Sequence, residues 1–126
     1  MPTAADTVTA FLAQCGKGKA EMMDAFRSYF TPETVWEMVG SASTTGPGEA
    51  LELMKSVQSE YGMECMFVEI LTMATQGDKV LTERIDNVRD ANGNNLMSVP
   101  TMGIFEVDGG KITAWRDYYD TATYGN

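Results

Sequence analysis

Apolar side chains recur at helical spacing in the first half of the chain. The i, i+3, i+4, i+7 spacing predicts an amphipathic helix over residues 4–15. A second apolar stripe predicts a helix that ends at about residue 30, shortly before Pro32. A third stripe, over residues 49–61, again places apolar residues on one face. We therefore expect three helices in the N-terminal half.

Strand-like segments follow the third helix and are separated by glycine-containing turns. A shorter β-prone segment, residues 34–39, precedes a Gly/Ser/Thr-rich segment, residues 40–48, which we interpret as a loop. Pro100 lies inside a predicted strand and indicates an edge position or a bulge. The pattern predicts one α+β domain over residues 1–126, a curved antiparallel sheet with helices packed on one face. Its four long strands are Met63–Thr75, Lys79–Val88, Leu96–Val107 and Lys111–Asp120.

The amino-acid composition excludes several classes of function. Nine basic and eighteen acidic residues give a formal charge of −9, which disfavours binding to nucleic acid. The chain has no histidine, which excludes Ser-His-Asp and Cys-His catalysis and histidine-ligated metal centres. No glycine-rich nucleotide-binding motif occurs. An enzyme of this composition must transfer protons through carboxylates, and we expect neither a metal nor a cofactor.

The N-terminal residues and the cysteines bear on localisation. The chain has no run of 18 apolar residues, and its N-terminus lacks the order of a signal peptide, so we expect a cytoplasmic protein that does not bind a membrane. Cys15 and Cys65 are far apart in the sequence and form no CxxC pair. Buried, reduced thiols are therefore favoured over a disulfide.

Two predicted strands carry charged residues that could face each other. Strand alternation places Arg84 and Asp86 on one face of their strand, and it places Trp115 and Asp117 on one face of another. If both faces point to the concave side of the sheet, Arg84 can lie between two carboxylates. The alternative is a solvated cross-strand ion pair, which is the more common arrangement for an Arg-x-Asp sequence.

Two stretches of sequence resemble the limonene-1,2-epoxide hydrolases of the nuclear-transport-factor-2-like (NTF2-like), or SnoaL-like, superfamily. Val80–Asp86 is similar to the arginine–aspartate strand of that family, and Gly103–Val107 followed by Gly110–Asp120 is similar to its last hairpin. The Gly-Lys-Ile-Thr-x-Trp-Arg-Asp-Tyr run within the hairpin is the most specific part of the match. Weaker similarity extends over nearly the whole chain. The resemblance implies a cone in which a strongly curved sheet holds the helices on its concave side.

The resemblance also implies roles for the three charged residues. Asp86 would be the general acid and Asp117 the general base, while Arg84 would bridge them and bind the epoxide oxygen. Two carboxylates in different protonation states can open an epoxide in one step without a metal. The implied substrate is a hydrophobic small molecule, terpenoid or aromatic.

The first strand departs from the family pattern at two positions. Trp36 and Met38 stand where the family has a tyrosine and an asparagine that help to hold the attacking water. An indole N–H can donate one hydrogen bond, but a thioether cannot replace an amide. Three functions therefore stay open. They are an epoxide hydrolase, a waterless isomerase, cyclase or lyase (such as a formaldehyde-eliminating lyase of lignin-type aromatics), and a non-catalytic protein that binds small molecules.

Methionine and aromatic residues suggest an adaptable apolar pocket. For each of them, plain packing in the core is the alternative. We also expect a homodimer that pairs through the convex face or an edge of the sheet, because helices on one face leave the other uncovered. The candidate pocket residues are Trp36, Met38, Met66, Val68, Met97, Val99 and Trp115.

Overall fold

The computed structural model describes residues 2–124, which contain three α-helices, six β-strands and a short 3₁₀ helix over Thr121–Tyr124. The helices are α1 (Ala4–Cys15), α2 (Lys19–Tyr29) and α3 (Gly46–Tyr61). The strands are β1 (Phe30–Met38), β2 (Ala42–Thr45), β3 (Cys65–Gln76), β4 (Lys79–Arg89), β5 (Asn95–Asp108) and β6 (Lys111–Tyr118).

The helix ends follow local capping rules. The first helix has the predicted bounds, and it begins with a capping box in which Thr3 and Asp6 exchange side-chain and backbone hydrogen bonds. The third helix begins at Gly46, three residues before the predicted start, because Pro47 fits the first turn of a helix without loss of a hydrogen bond. The predicted end of this helix at Tyr61 is confirmed, and Gly62 follows it in the left-handed conformation.

The segment predicted as a loop, residues 40–48, contains a strand. Ala42–Thr45 forms β2, which pairs antiparallel with β1, so this part of the loop prediction is wrong. The sequence Ala-Ser-Thr-Thr has no alternation of apolar and polar residues that would indicate a strand. Pairing with β1 determines its structure instead.

One six-stranded sheet has the order β2-β1-β6-β5-β4-β3. The meander from β3 to β6 is antiparallel, as predicted, but β1 and β6 pair in parallel, so the sheet is mixed rather than wholly antiparallel. The first long strand thus lies beside the last one. Local sequence cannot indicate this pairing, because it joins segments about 80 residues apart, for example Trp36 and Trp115.

The sheet bends around the helices. Register shifts occur in the pairing of β1 with β6, of β3 with β4, of β4 with β5, and of β5 with β6, and such bulges bend a sheet and increase its twist. The first helix packs on β3 to β6, and the third on β1 and β2. Phe11 of the first helix is fully buried and contacts the rings of Phe26, Phe30, Phe105 and Trp115. The core therefore lies between the helices and the concave face, in the cone expected of this α+β fold.

Pro100 lies in β5, which is an inner strand of the sheet. Pairing of β5 with β6 begins only at Met102, so at Pro100 the strand pairs with β4 alone. Over this stretch β5 is therefore an edge strand, as expected. The backbone N–H that proline lacks is not needed there for pairing with a second strand.

Cys15 and Cys65 are both free and buried, as expected. Within residues 2–124, no helix is long and apolar enough to cross a membrane.

The expected homodimer remains a prediction. Large apolar side chains are exposed on the outer face of the sheet, including the directly paired Met102 and Tyr118, which are 52% and 51% exposed. We expect light scattering at micromolar concentration to give twice the 13.8 kDa mass of the chain, and Met102→Asp to lower that mass. A 13.8 kDa particle for the unmodified protein would contradict this prediction.

Candidate active site

Three adjacent strands bring the predicted charged residues together. Arg84 and Asp86 lie on β4, Asp117 lies on β6, and β5 runs between them. Arg84 and Asp86 share one face of β4, as strand alternation predicts, and their side chains meet that of Asp117 on the concave face. Arg84 is only 1% exposed and Asp117 only 5%, so the solvated ion pair considered above is excluded.

The Arg84 guanidinium bridges both carboxylates with paired hydrogen bonds. Nε and Nη2 donate to Oδ1 and Oδ2 of Asp86 at 3.0 and 2.8 Å. Nη1 and Nη2 donate to Oδ1 and Oδ2 of Asp117 at 3.0 and 2.8 Å. The remaining N–H of Nη1 donates to Thr82 Oγ1 at 2.9 Å. All five N–H groups thus have protein acceptors, and Arg84 can bind a substrate oxygen only by exchanging one of these bonds.

Gly103 makes room for this bridge. It lies on β5 and pairs with Thr82 on one side and with Asp117 on the other. A Cβ atom at this position would overlap Asp117 Oδ1 and Arg84 Nη1. The Arg84 side chain can therefore reach across β5 to Asp117 only because residue 103 has no side chain.

Aromatic rings complete the surroundings of the pair. Trp115 Nε1 donates to Asp117 Oδ1 at 2.7 Å. The Arg84 guanidinium carbon lies 5.7 Å from the centroid of the Phe105 ring and 5.9 Å from that of Trp115. These rings exclude water from one side of the ion pair and offer their π faces to the cation.

Burial and the neighbouring charges shift the pKa values of Asp117 and Arg84 in opposite directions. Burial raises the pKa of the Asp117 carboxyl above its ordinary value, while the Arg84 guanidinium and the Trp115 N–H act against the rise. Burial also acts to lower the pKa of Arg84, but the two carboxylates outweigh it and raise that pKa, so the guanidinium stays charged. Asp117 is thus a stronger base than an exposed aspartate.

Asp86 and Asp117 lie at a cavity of about 320 Å³, a size common for small-molecule sites. Six of the seven predicted pocket residues line it, and Met97 does not. The predicted residues at the cavity are Trp36, Met38, Met66, Val68, Val99 and Trp115.

The opposite wall comes from the helices, which the pocket prediction left out. The inner faces of the helices line the cavity. In the sequence, their apolar stripes indicate that these residues are buried, but they do not show whether a residue faces a cavity or the core. The helix residues at the cavity are Leu12, Cys15, Met22, Phe26, Leu53, Met54, Val57, Glu60 and Tyr61.

Outside the helices, three further hydroxyl-bearing residues line the cavity and were not predicted as site residues. Thr101, opposite Arg84 in the sheet, donates its hydroxyl to the Val99 carbonyl oxygen at 3.0 Å and keeps lone pairs for another donor. Tyr119 and Ser41 form a hydrogen-bonded pair, and burial raises the pKa of Tyr119. Thr and Ser in strands and loops carry no distinctive sequence signal of such a role.

Within residues 2–124, no group of three or more Cys, Asp and Glu side chains is arranged to bind a metal ion.

Comparison with known proteins supplies the family. The sequence matches the family model described as the limonene-1,2-epoxide hydrolase catalytic domain over residues 2–124. Epoxide hydrolase EphG of Mycobacterium tuberculosis is 34% identical over 100 residues, which cover 79% of this chain and 64% of EphG. The match thus spans less than two thirds of that relative.

Solved structures support the same relationship. The structure of an M. tuberculosis LEH-like epoxide hydrolase is 31% identical, with a TM-score of 0.73 over 95% of this chain and 84% of that one. An NTF2-like protein of unknown function from Cytophaga hutchinsonii shares the fold at 16% identity, with a TM-score of 0.71 over 100% of this chain and 97% of that one. Family match, sequence identity and fold agree: the chain belongs to the limonene-1,2-epoxide hydrolase family.

Proposed function

We propose that the chain hydrolyses epoxides of hydrophobic small molecules, terpenoid or aromatic, and uses neither a metal nor a cofactor. The observation that carries this proposal is the pair of carboxylates held by one guanidinium at the edge of an apolar cavity. Hydrolysis in one step needs a base for water and an acid for the epoxide oxygen. Membership of the family and the similarity to EphG support the same activity.

Asp117 is the base in this proposal. Its Oδ1 accepts two hydrogen bonds, from Arg84 and Trp115, whereas Oδ2 accepts only one, from Arg84. Each carboxylate oxygen has two lone pairs, so Oδ2 can accept a proton from water. Burial makes this carboxylate more basic, which favours the transfer.

Asp86 is the acid. One guanidinium beside two carboxyl groups is neutral when the pair holds one proton, and burial favours the neutral arrangement. The resemblance to the family gives this role to Asp86, which lines the cavity and keeps 14% of its side chain exposed, so its carboxyl can meet a bound epoxide. As Asp117 takes a proton from water, Asp86 gives its proton to the epoxide oxygen.

A waterless rearrangement or elimination is the second candidate. Met38 lies directly opposite Asp117 in the parallel pairing and lines the cavity, so a thioether stands beside the proposed base. A buried water needs roughly two to four polar partners. Thr101 and Asp117 are available for this purpose, and we therefore place hydrolysis first.

Oxygen labelling tests the proposed function. In ¹⁸O-labelled water we expect the protein to convert an aromatic epoxide such as styrene oxide into a diol that contains the label. Asp86→Asn and Asp117→Asn should each lower turnover about 10²-fold or more, since each removes a positioned acid or base. EDTA should leave the rate unchanged.

An unlabelled, rearranged product would favour the waterless reaction instead. Glu33→Gln, which changes an exposed carboxylate on β1, serves as the control and should keep the rate of the unmodified protein. Full activity in either aspartate variant would contradict the assigned roles.

The pH dependence should report the raised pKa of Asp117. A base acts only when deprotonated, so kcat/KM should rise with pH, with a midpoint above the ordinary value for aspartate of about 3.9. Trp115→Phe removes a hydrogen bond that favours the ionised form, so it should move this midpoint to higher pH. Tyr118→Phe, on the exposed outer face, should leave it in place. A midpoint that Trp115→Phe leaves unchanged would remove Asp117 from the role of base.

Gly103 should act as a positioning residue. Gly103→Ala should push the Arg84 and Asp117 side chains apart, lower kcat/KM by about tenfold or more, and raise the midpoint of the pH profile. Gly48→Ala is the matched control, because a Cβ there meets open space. Equal effects of the two substitutions would show that Gly103 has no special part in the bridge.

A further inference from the structure

Two hydroxyl-bearing residues that the three charged residues do not engage lie beside the proposed base. Ser41 is in the turn after β1, and Tyr119 directly follows β6. Both line the cavity that Asp117 also lines, and their side chains form a hydrogen bond. Ser41 is exposed and Tyr119 is half-buried, so a water molecule in the cavity can reach this pair.

The backbone fixes the position of the pair relative to Asp117. The Val39 N–H donates to the Asp117 carbonyl oxygen at 3.0 Å. The Ser41 N–H donates to the Met38 carbonyl oxygen at 2.9 Å, so the turn that carries Ser41 is anchored to the end of β6. Tyr119 comes two residues after Asp117, which puts both side chains on one face with their Cα atoms about 7 Å apart. The two side chains therefore flank the same part of the cavity.

The Asp117 carboxylate acts on Tyr119 as a charged neighbour. Burial raises the pKa of Tyr119, the hydrogen bond with Ser41 acts against that rise, and the negative charge of Asp117 adds to it. The tyrosine hydroxyl therefore stays protonated while the carboxylate is ionised. A neutral hydroxyl can both donate and accept hydrogen bonds, so it can bind a water that is also bonded to a base.

The water that Asp117 would activate needs such a partner. Met38 pairs with Asp117 across β1 and β6, and its thioether stands where the family has an asparagine. A buried water needs roughly two to four polar partners, and Asp117 and Thr101 supply only the lower number. The register of β5 with β6 places Tyr119 across from Thr101, so the tyrosine hydroxyl can supply a third.

We propose that Tyr119, oriented by Ser41, holds the attacking water on Asp117 and takes the part that first-strand residues have in the family. This inference rests on the proposed function. The water donates one hydrogen to Asp117 Oδ2 and the other to the Tyr119 hydroxyl oxygen, so its lone pairs point to the epoxide. The water oxygen then bonds to carbon and gives a proton to Asp117. The epoxide C–O bond breaks, and its oxygen takes the proton of Asp86, while Tyr119 keeps its own.

The products formed from styrene oxide test this role. Tyr119→Phe keeps the ring and removes the hydroxyl, so kcat for the diol should fall about tenfold, roughly the effect of one hydrogen bond, with little change in KM. Asp86 can still protonate the epoxide, and an opened epoxide without a placed water rearranges to an aldehyde. The ratio of diol to aldehyde should therefore fall as well. Ser41→Ala should lower this ratio by less, because it removes only the group that orients the tyrosine.

Two further variants separate this role from a loss of packing. Tyr118→Phe removes the hydroxyl of the neighbouring, exposed tyrosine and should keep both kcat and the product ratio. Met38→Asn, added to Tyr119→Phe, places an amide directly opposite Asp117 and should restore part of the ratio. A ratio that Tyr119→Phe leaves unchanged, even with a lower kcat, would overturn the inference.

A crystal structure of the ligand-free protein separates this inference from the proposed function. We expect one ordered water within about 3.2 Å of both Asp117 Oδ2 and the Tyr119 hydroxyl oxygen, and we expect Tyr119→Phe to lose it. A water bound to Asp117 without contact to Tyr119 would overturn the inference even in an active enzyme. Failure to hydrolyse styrene oxide, with the water in the expected place, would count against the proposed function alone.

Discussion

The rest of the site depends on one buried guanidinium that pairs with two carboxylates. Arg84 uses every N–H group it has, two for each carboxylate and one for Thr82. Removing one partner of such a buried pair generally costs about 3–5 kcal/mol, because the remaining charge has no compensation. The three charged side chains are therefore stable in the core only when all of them are present. A fold that buries Arg84 must bring both Asp86 and Asp117 to it with matching geometry.

The sheet meets this requirement through strand order and one missing side chain. β4 and β6 are separated by β5, so the arginine must cross an intervening strand to reach Asp117. Gly103 has no side chain in the path of Arg84, so the guanidinium can pass over β5. The helices then cover the concave face, which removes the ion pair from solvent and raises the pKa of Asp117. The proposed chemistry and the stability of the fold thus depend on the same contacts.

A stack of aromatic rings links this charged centre to Trp36 in the cavity lining. Trp115 donates to Asp117 and stacks between Phe105 and Trp36, with centroids 4.9 and 4.7 Å away. The indole that donates to the proposed base is therefore in contact with the indole of Trp36, which lines the cavity.

The sequence by itself determined the helices, the four-stranded meander and the alternation that puts Arg84 and Asp86 on one face of their strand, because these depend on periodicity and turn residues within short segments. The resemblance added the cone and the roles of the acid and base. Only the tertiary structure decided that β1 lies parallel to β6, that Ala42–Thr45 is a strand, and that Met97 does not line the cavity. It also decided that Gly103 leaves room for the Arg84 side chain, and that Trp36 Nε1 and Thr44 Oγ1 have no hydrogen-bond partner among residues 2–124. These features arise from contacts between residues distant in sequence, and their geometry leaves no periodic signal along the chain.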